Sequence, residues 1–448
     1  MNKLTIALVG IVWASAFEDL AADEPISYTE HIAPILWENC AGCHRPGEIG
    51  PFPLLTYEDA AKRADFLAEV TESRRMPPWK AEPGYGEFHD ARILSDAEIG
   101  LLARWAEAGA PEGDPARLPD PPKFPEGWQL GEPDLILEMP ESFEVPASGR
   151  DVFRCFVLPI ELPEDRTVAA VEFRPGNRSV VHHALFFLDG TGQARKLEAA
   201  DPKPGYASFG GIGITPTGAL GGWAPGATPR RLPEGYGRRL PGGSDLVLQV
   251  HYHPVGKPQT DRSVVGLYFT ERPAEKIVIG LPLVNRKDIY IPAGKSNHEV
   301  QASLELPVDV TAIGITPHMH YIGQEMKVTA VLPDGTKKPM IWVRDWDFNW
   351  QGQYQYQEPV RLPRGTVLEL EATYDNSANN PSNPSHPPKL VTWGEQTTDE
   401  MCLCALQVVP DRRIDYLLLL REAARSLREG GAPRGSSSGA RLPGLLRR

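Results

Sequence analysis

The spacing of apolar and polar residues between positions 135 and 409 is typical of β-structure. Short apolar or alternating runs are separated by Gly, Pro and Asp. Strands at this density with no helices between them indicate antiparallel sandwiches or jelly rolls. The predicted strands cover residues 167–173, 180–188, 245–252, 264–269, 276–279, 308–315, 326–332 and 366–374. Residues 205–243 are rich in Gly and Pro, and we expect a long ordered loop there.

Residues 25–110 show a helical period instead. The first predicted helix covers residues 28–39, with its apolar residues three or four positions apart. A later helix is predicted to begin after Ser95, which would be its N-cap with Glu98 as capping-box partner, and to end near Gly109. Residues 25–110 therefore predict a small all-α domain.

The N-terminus has the pattern of an export signal. Lys3 is followed by an apolar run over residues 4–13 and by small residues suited to cleavage near residue 16 or 22. The run is shorter than the roughly 20 apolar residues that span a bilayer, so no stable membrane span is predicted. We expect the mature protein in the periplasm or outside the cell.

Composition narrows the possible partners. The 448 residues carry a formal net charge of −13, and Lys and Arg are scattered except in the basic C-terminal tail. Since no basic stripe is available to neutralise phosphates, a nucleic-acid partner is excluded. Five cysteines are too few for a disulfide-dense scaffold.

Two of the cysteines form the motif Cys40-x-x-Cys43-His44. This is the attachment signature of a c-type haem, with two thioethers from the cysteines and the histidine as an axial iron ligand. Met76, followed by two prolines, is the candidate for the opposite axial ligand. A redox dithiol or half of a zinc site is the alternative for the cysteines, and gap-filling is the alternative for Met76.

Six of the eleven histidines lie in pairs on predicted strands: His182 and His183, His251 and His253, His318 and His320. Neighbours on a strand point to opposite faces, so the adjacent pair can meet one partner only where the strand ends or bulges. The other pairs are two residues apart and share a face. One such pair alone is more often hydrogen-bonded than metal-bound. Three pairs together favour metal binding.

Met401 adds a thioether to this set. A thioether combined with imidazoles selects copper, particularly Cu(I), over zinc or iron. The two predicted metal sites are His318, His320 and Met401, and His182, His183 and His251. The second set, taken alone, would suit copper or zinc. His253, which precedes a proline, is left as a supporting residue or an alternative ligand.

Five motifs in a fixed order link these residues to a known family. They are Val181-His182-His183-Ala184-Leu185-Phe186-Phe187, Gly222-Trp223-Ala224-Pro225-Gly226 with Leu232-Pro233-Glu234-Gly235, Val247-Leu248-Gln249-Val250-His251-Tyr252, His318-Met319-His320-Tyr321-Ile322-Gly323, and Thr397-Thr398-Asp399-Glu400-Met401-Cys402. The region from about residue 128 to 410 resembles the copper type II, ascorbate-dependent monooxygenases. That family includes peptidylglycine α-hydroxylating monooxygenase and dopamine β-monooxygenase.

The resemblance implies two jelly-roll domains and two copper ions. The copper on His182, His183 and His251 would accept electrons, and the copper on His318, His320 and Met401 would bind oxygen. The N-terminal part resembles a class I c-type cytochrome, which implies one covalently attached haem c. The expected multidomain chain has a signal peptide (1–22), an all-α cytochrome c-like domain (23–110), a Pro-rich linker (111–133), two all-β jelly-roll or sandwich domains (134–272 and 273–420) and a basic disordered tail (421–448).

Some positions depart from the family pattern. The peptide-amidating members hold the substrate carboxylate with an Arg and an Asn, and this chain has Thr316 and Leu403 there. A peptidylglycine substrate is therefore not expected. Cys155 and Cys402 stand where the animal members have half-cystines, but the usual partner positions hold no cysteine, so their pairing and that of Cys404 stay open.

The expected function is the hydroxylation of an aliphatic C–H bond of a small organic substrate with O₂. Each copper would store one of the two electrons required, and the electrons would come through the haem, from ascorbate, or from a redox protein. One alternative is a haem and copper protein that transfers electrons or senses redox state without oxygenase activity. Another is a carbohydrate- or protein-binding module with structural metals.

Overall fold

The computed structural model of the protein describes residues 25–209 and 211–430. The predicted signal peptide lies outside the described residues, as does the tail beyond residue 430. Six α-helices are α1 Ala33–Asn39, α2 Tyr57–Ala61, α3 Ala64–Glu72, α4 Asp96–Glu107, α5 Gln193–Ala200 and α6 Tyr416–Glu429. A π-helical turn covers Tyr28–Ile32, and 3₁₀ turns cover Pro115–Arg117 and Arg413–Asp415.

Most of the ordered structure is β. The first eleven strands are β1 Leu135–Glu138, β2 Phe143–Val145, β3 Val152–Pro159, β4 Arg166–Arg174, β5 Val181–Asp189, β6 Tyr206–Ala207, β7 Gly218–Trp223, β8 Tyr236–Leu240, β9 Asp245–Tyr252, β10 Gln259–Asp261 and β11 Val264–Phe269. The other eleven are β12 Lys276–Ile277, β13 Ile279–Val284, β14 Tyr290–Ile291, β15 His298–Glu305, β16 Val310–His318, β17 Gly323–Val331, β18 Lys337–Val343, β19 Tyr354–Leu362, β20 Val367–Tyr374, β21 Val391–Thr392 and β22 Leu403–Pro410.

Four main sheets contain most of these strands. Two have the orders β1-β11-β4-β8-β12 and β6-β3-β9-β5-β7, and together they enclose one apolar core. We call these two sheets the first β unit. The other two, β13-β22-β16-β19 and β15-β20-β17-β18, enclose a second core and form the second β unit. Within the main sheets the strands pair antiparallel, except for the short parallel contact of β8 with β12.

The predicted fold class, an all-α cytochrome c-like domain followed by two jelly-roll or sandwich domains, is wrong. The chain is mostly β, and the N-terminal helices are short, between 5 and 12 residues. The segment between α3 and α4 is not helical. It pairs with the second β unit, through bridges from Ala81 to Val343 and from Phe88 to Tyr356. Ala81 and Phe88 are buried in the core of that unit, so no separate all-α domain stands at the N-terminus.

Local predictions had mixed outcomes. The capping box of α4 is confirmed, because Ser95 Oγ accepts the Glu98 N–H and the Glu98 carboxylate accepts the Ser95 N–H. The predicted loop over residues 205–243 is wrong, since it contains β6, β7 and β8. Strand β7 carries three glycines and β8 carries two adjacent arginines, which hide the β pattern.

All five cysteines are free thiols, so none of the pairings left open by the sequence is formed. Cys155, Cys402 and Cys404 are buried, and burial raises the pKa of Cys155 and of Cys402 to about 12. Within residues 25–209 and 211–430, no helix combines the length and apolarity that a bilayer crossing requires.

Candidate metal centres

Two neighbouring strands of the first β unit bring three histidines together. His182 and His183 lie at the start of β5, and His251 lies near the end of β9. His183 is the register partner of His251, and the register of this pair shifts between Val181 and His183. This irregularity allows two adjacent side chains to approach the same partner.

The three rings meet through their Nδ1 atoms. His183 Nδ1 lies 3.2 Å from His182 Nδ1 and 3.3 Å from His251 Nδ1. In the part of the chain that the structure describes, this is the one group of three or more His, Cys, Asp or Glu residues whose ligand atoms lie within 4.8 Å of one another. Burial, reinforced by the neighbouring imidazoles, lowers the pKa of His182 to about 3 and holds the pKa of His183 well below its usual value. Neutral imidazoles are the form that binds metal ions.

Asp151 contacts this group at His251, on the side of the ring that carries Nε2. Its Oδ2 lies 3.2 Å from His251 Nε2 and accepts a hydrogen bond of 2.6 Å from the Thr397 hydroxyl, while its Oδ1 lies 2.8 Å from His253 Nδ1. Burial alone would raise the pKa of Asp151, but the contacts with His251, Thr397 and His253 outweigh burial and hold the pKa below its usual range. His253 is half exposed and stands outside the three-ring group. The structure therefore gives His253 a place beside Asp151.

His318 and His320 form a second histidine group, in the second β unit. His318 ends β16 and His320 follows it outside the strand, with the ring centroids 5.1 Å apart. His318 Nδ1 lies 2.5 Å from Gln351 Oε1, and His320 Nδ1 lies 3.2 Å from the Asp399 carbonyl oxygen. Since oxygen acceptors engage both Nδ1 atoms, the Nε2 atoms are left to bind a metal. Burial lowers the pKa of His318 to about 4 and holds that of His320 well below its usual value.

Two independent features bring the backbone of Met401 close to that of His320. Strand β16 pairs with β22 so that His318 faces Leu403, and His320 and Met401 are each two residues beyond that pair. In addition, one oxygen of Glu400 accepts the backbone N–H of His320 at 2.5 Å and that of Met401 at 2.7 Å. Burial raises the pKa of Glu400 to about 8. Glu400 thus links the backbone segment of His320 to that of Met401.

Phe348 lies between the two histidine groups. Its ring stacks on His182 with a centroid distance of 4.6 Å and an interplanar angle of 11°. It also meets His320 edge-on, at 5.9 Å and 89°. The two groups therefore face each other across one buried phenyl ring. Sequence reasoning missed Phe348, Asp151 and Gln351, because no local pattern marks them as neighbours of the histidines.

The Cys40-x-x-Cys43-His44 motif follows α1 in a tight turn. The backbone N–H groups of Cys43 and His44 both donate to the Cys40 carbonyl, at 3.1 and 2.9 Å. His44 Nδ1 lies 3.0 Å from the Phe52 carbonyl oxygen, which leaves Nε2 to act as a ligand. Burial lowers the pKa of His44. Two free thiols and one oriented imidazole therefore lie close together in the turn.

Met76 is not joined to this turn by the contacts of the described residues. Its backbone N–H donates to the Val70 carbonyl at 3.0 Å, just beyond α3. No hydrogen bond or ring contact in residues 25–209 and 211–430 links it to His44. Its role as an axial ligand stays a prediction.

Comparison with known proteins finds relatives that share one name. The chain is similar to peptidylglycine alpha-amidating monooxygenase. It is 24% identical to the rat (Rattus norvegicus) protein over 262 residues, which are 55% of this chain and 24% of the relative. The values for the mouse (Mus musculus) protein are the same. Peptidyl-glycine alpha-amidating monooxygenase A of Xenopus laevis is 24% identical over 254 residues, which are 54% of this chain and 25% of the relative. The chain thus spans about a quarter of the length of the curated relatives it matches.

Other comparisons add little. No protein-family model matches the chain. A solved structure of PNGF-II covers 62% of this chain and 65% of its own, with a TM-score of 0.28 and 9% identity. A subviral particle of infectious bursal disease virus VP2 covers 62% of this chain and 79% of its own, with a TM-score of 0.15 and 8% identity. Likenesses of this size do not establish a shared fold.

Proposed function

We propose that this protein is a copper-dependent monooxygenase that hydroxylates an aliphatic C–H bond of a small organic substrate with O₂. The convergence of three Nδ1 atoms from His182, His183 and His251 carries this proposal. The partner group of His318, His320 and Met401, and the similarity to peptidylglycine alpha-amidating monooxygenase, support it further.

The donor sets fit two copper ions. One ion would be held by the three Nδ1 atoms of the first group, and the other by the Nε2 atoms of His318 and His320 with the Met401 thioether. Each copper, when bound, would supply a one-electron redox change, and the reaction consumes two electrons for each O₂. A thioether favours Cu(I), the state that reacts with O₂.

The chain's own residues orient these ligands. Asp151 holds the Nε2 side of His251, so that Nδ1 faces the other two rings. Gln351 does the same for His318 from the Nδ1 side. Phe348 fills the space between the two groups with an apolar ring, which limits water there.

The substrate is proposed to be a small organic molecule other than a peptidylglycine. Thr316 and Leu403 both lie on the paired strands that lead to His318 and Met401. The Thr316 side chain lacks the positive charge of the arginine and the Leu403 side chain lacks a hydrogen-bond donor, so the charge-assisted pair that would hold a substrate carboxylate is missing.

We further propose a covalently attached haem c on Cys40 and Cys43, with His44 as an axial ligand and Met76 as the opposite one. The free thiols and the His44 Nδ1 contact with Phe52 fit such a group. The haem would carry single electrons, alongside ascorbate or a redox protein as donor. Residues 1–22 would direct the chain to the periplasm or the cell exterior, where the thioether bonds form.

The test is isotopic. The full chain, loaded with copper, is supplied with ascorbate, ¹⁸O₂ and a panel of alkyl-bearing small molecules, and products are analysed by mass spectrometry. We expect ¹⁸O in an alcohol product, lost in Met401→Ile while the copper EPR signal of the three-histidine site persists. Undiminished turnover in Met401→Ile would refute the assignment of the thioether.

A second candidate is a haem and copper electron-transfer or redox-sensing protein. The oriented turn of Cys40, Cys43 and His44 favours it, because a covalent haem suits a relay as well as an oxygenase. In that case the copper would be reduced by ascorbate and reoxidised by ¹⁸O₂ in the same assay, the label would leave as peroxide or water, and no organic product would contain ¹⁸O.

A further inference from the structure

A cavity of about 630 Å³ lies where the N-terminal part meets both β units. Cys43 and Arg92 line it from the N-terminal side, Trp223 from the first β unit, and Tyr354 and Gln407 from the second. Its volume falls within the range of roughly 300 to 1,000 Å³ found for small-molecule sites. None of the six residues assigned to copper lines it.

The charged residues of the wall are mostly matched. The basic ones are Arg45, Arg92, Arg178, Arg230 and Arg238, and the acidic ones are Glu38, Glu48, Asp90 and Glu172. Glu48 pairs with Arg45 at 3.1 Å and with Arg178 at 3.3 Å, and Asp90 pairs with Arg230 at 2.6 Å. Two arginines, Arg92 and Arg238, have no carboxylate within ion-pair distance in the described part of the chain.

The two remaining acids do not compensate for these arginines. Glu172 is buried, and its oxygens accept hydrogen bonds from the Gln129 and Leu130 backbone N–H groups and from the Tyr268 hydroxyl. Glu38 is exposed at the edge of the wall. The cavity therefore presents two cations that no carboxylate among the described residues neutralises.

Arg92 is held at one side with donors unused. Its Nη1 and Nη2 each lie 3.5 Å from the Gly226 carbonyl oxygen, and Nη1 lies 3.8 Å from Cys43 Sγ. Its Nε is buried and has no hydrogen-bond partner in the part of the chain that the structure describes. A buried donor on a cation is rarely left unpaired in a folded protein, since desolvation without a partner is costly.

Arg238 is the second such arginine in the lining. It lies on β8, and its side chain makes one hydrogen bond among the described residues, from Nη2 to Gln407 Oε1 at 2.8 Å. Burial lowers the pKa of Arg238 to about 10. Its neighbour Arg239, by contrast, is half exposed and pairs with Asp165 at 3.0 Å. Of these two adjacent arginines, Arg239 therefore has a carboxylate partner, and Arg238 has none among the described residues.

The rest of the wall is mixed. Its apolar and aromatic side chains include Phe124, Phe173, Phe186, Leu220 and Trp223, and uncharged polar ones such as Gln353, Gln355 and Gln407 lie beside them. An inorganic anion would leave the apolar side chains uncovered. We propose that the cavity binds an organic anion, with a carboxylate head held by Arg92 and Arg238 and an apolar body against the aromatic side chains. This proposal does not depend on the copper chemistry. Cys43 also lines the cavity, so a haem attached there would share it, and the titration below uses the full chain without haem.

Calorimetric titration of the full chain tests the site. The probes are benzoate and hexanoate, their neutral amides benzamide and hexanamide, and inorganic phosphate. We expect one saturable site for at least one of the two carboxylates, and none for the amides. Arg92→Gln and Arg238→Gln should each weaken the binding at least about tenfold, because a charge-assisted pair is lost. Arg239→Gln is the matched control and should bind like the wild type.

Several outcomes would overturn the proposal. They are equal binding of an acid and its amide, no saturable binding of either acid up to about 10 mM, or unchanged binding in both glutamine variants. Binding of phosphate alone would replace the organic ligand with an inorganic anion. Arg238→Lys guards against a folding defect, since it keeps the charge but loses the planar fork and should bind with intermediate affinity.

Discussion

The Nε2 atom of His251 lies 3.2 Å from Oδ2 of Asp151, on the far side of the ring from the Nδ1 atom that meets His183. A carboxylate in this position fixes the ring orientation and makes the opposite nitrogen a better ligand. We expect Asp151→Asn to weaken copper binding at the three-histidine site about 10- to 100-fold. Titration against a competing chelator, followed by EPR, measures this.

Asp165→Asn is the control for that experiment, because Asp165 is exposed and its partners are Arg239 and the Gly242 backbone N–H, away from the histidines. It should leave copper affinity unchanged. Wild-type affinity in Asp151→Asn would show that the carboxylate does not orient His251.

We expect Glu400 to stabilise the site of His318, His320 and Met401 because its carboxyl oxygen accepts two backbone hydrogen bonds, and not because it is charged. Glu400→Gln keeps an acceptor for the His320 and Met401 amides and should retain both copper ions. Glu400→Ala leaves both amides without an acceptor, at a cost of about 1 to 3 kcal/mol for each. Metal analysis should then show loss of one copper of two, and urea unfolding should show lower stability. Equal behaviour of the two variants would contradict this role.

Phe348 is expected to stabilise the contact between the two histidine groups. Removing a buried phenyl ring costs about 3 to 5 kcal/mol, so Phe348→Ala should lower the free energy of unfolding by that amount. Phe209→Ala is the control, since Phe209 is 56% exposed and should change stability far less. Dipolar EPR between the two Cu(II) ions should show a broader distance distribution in Phe348→Ala. An unchanged distribution would mean that other contacts set the spacing.

Asp201 should make folding sensitive to acid. Hydrogen bonds from Arg154 hold its pKa at about 2, below the value of about 3.9 in an unfolded chain. Its contribution to stability is therefore complete above about pH 4 and is lost as the pH falls toward about 2. Asp201→Asn should lose about 1 to 3 kcal/mol at neutral pH, because the buried Arg154 loses its charged partner and one of the two side-chain oxygens that accept from it.

The difference in stability between wild type and Asp201→Asn should shrink as the pH falls through that range. Urea unfolding between neutral pH and about pH 3 measures it. Asp345→Asn, which alters a highly exposed carboxylate that pairs with Lys80, should change stability little at any pH. A constant difference across the range would rule out Asp201 as the titrating group.

The haem proposal predicts a covalent adduct that depends on two thiols. Cys40→Ser combined with Cys43→Ser should abolish the haem mass increment and the haemochrome absorbance of the protein expressed with haem-attachment machinery. Cys155→Ala, which alters a buried thiol outside the motif, should retain both. Retention of covalent haem in the double variant would refute the attachment site. Met76→Ala should keep the haem but change its axial-ligand spectrum.

Strands with continuous apolar runs could be predicted from sequence, and the long-range contacts could not. The predicted strands at residues 245–252 and 264–269 coincide with β9 and β11. The all-α prediction for the N-terminal part was wrong because Ala81 and Phe88 pair with strands more than 250 positions away. No local period can reveal such a pairing.

The same distinction holds at the candidate site. The histidines could be recognised from sequence as candidate metal ligands, because adjacent or alternating imidazoles on strands are unusual for packing alone. Asp151 could not, since it sits in a polar turn before β3, and only the fold brings it to Thr397, 246 positions later. Phe348 is likewise one aromatic residue among several in its stretch.

The ring of Phe348, which belongs to the second β unit, touches His182 of the first unit face-on and His320 of its own unit edge-on. The units cannot swing apart without breaking the face contact with His182 or the edge contact with His320. At these two contacts the spacing between the histidine groups is thus fixed by the size of one aromatic side chain.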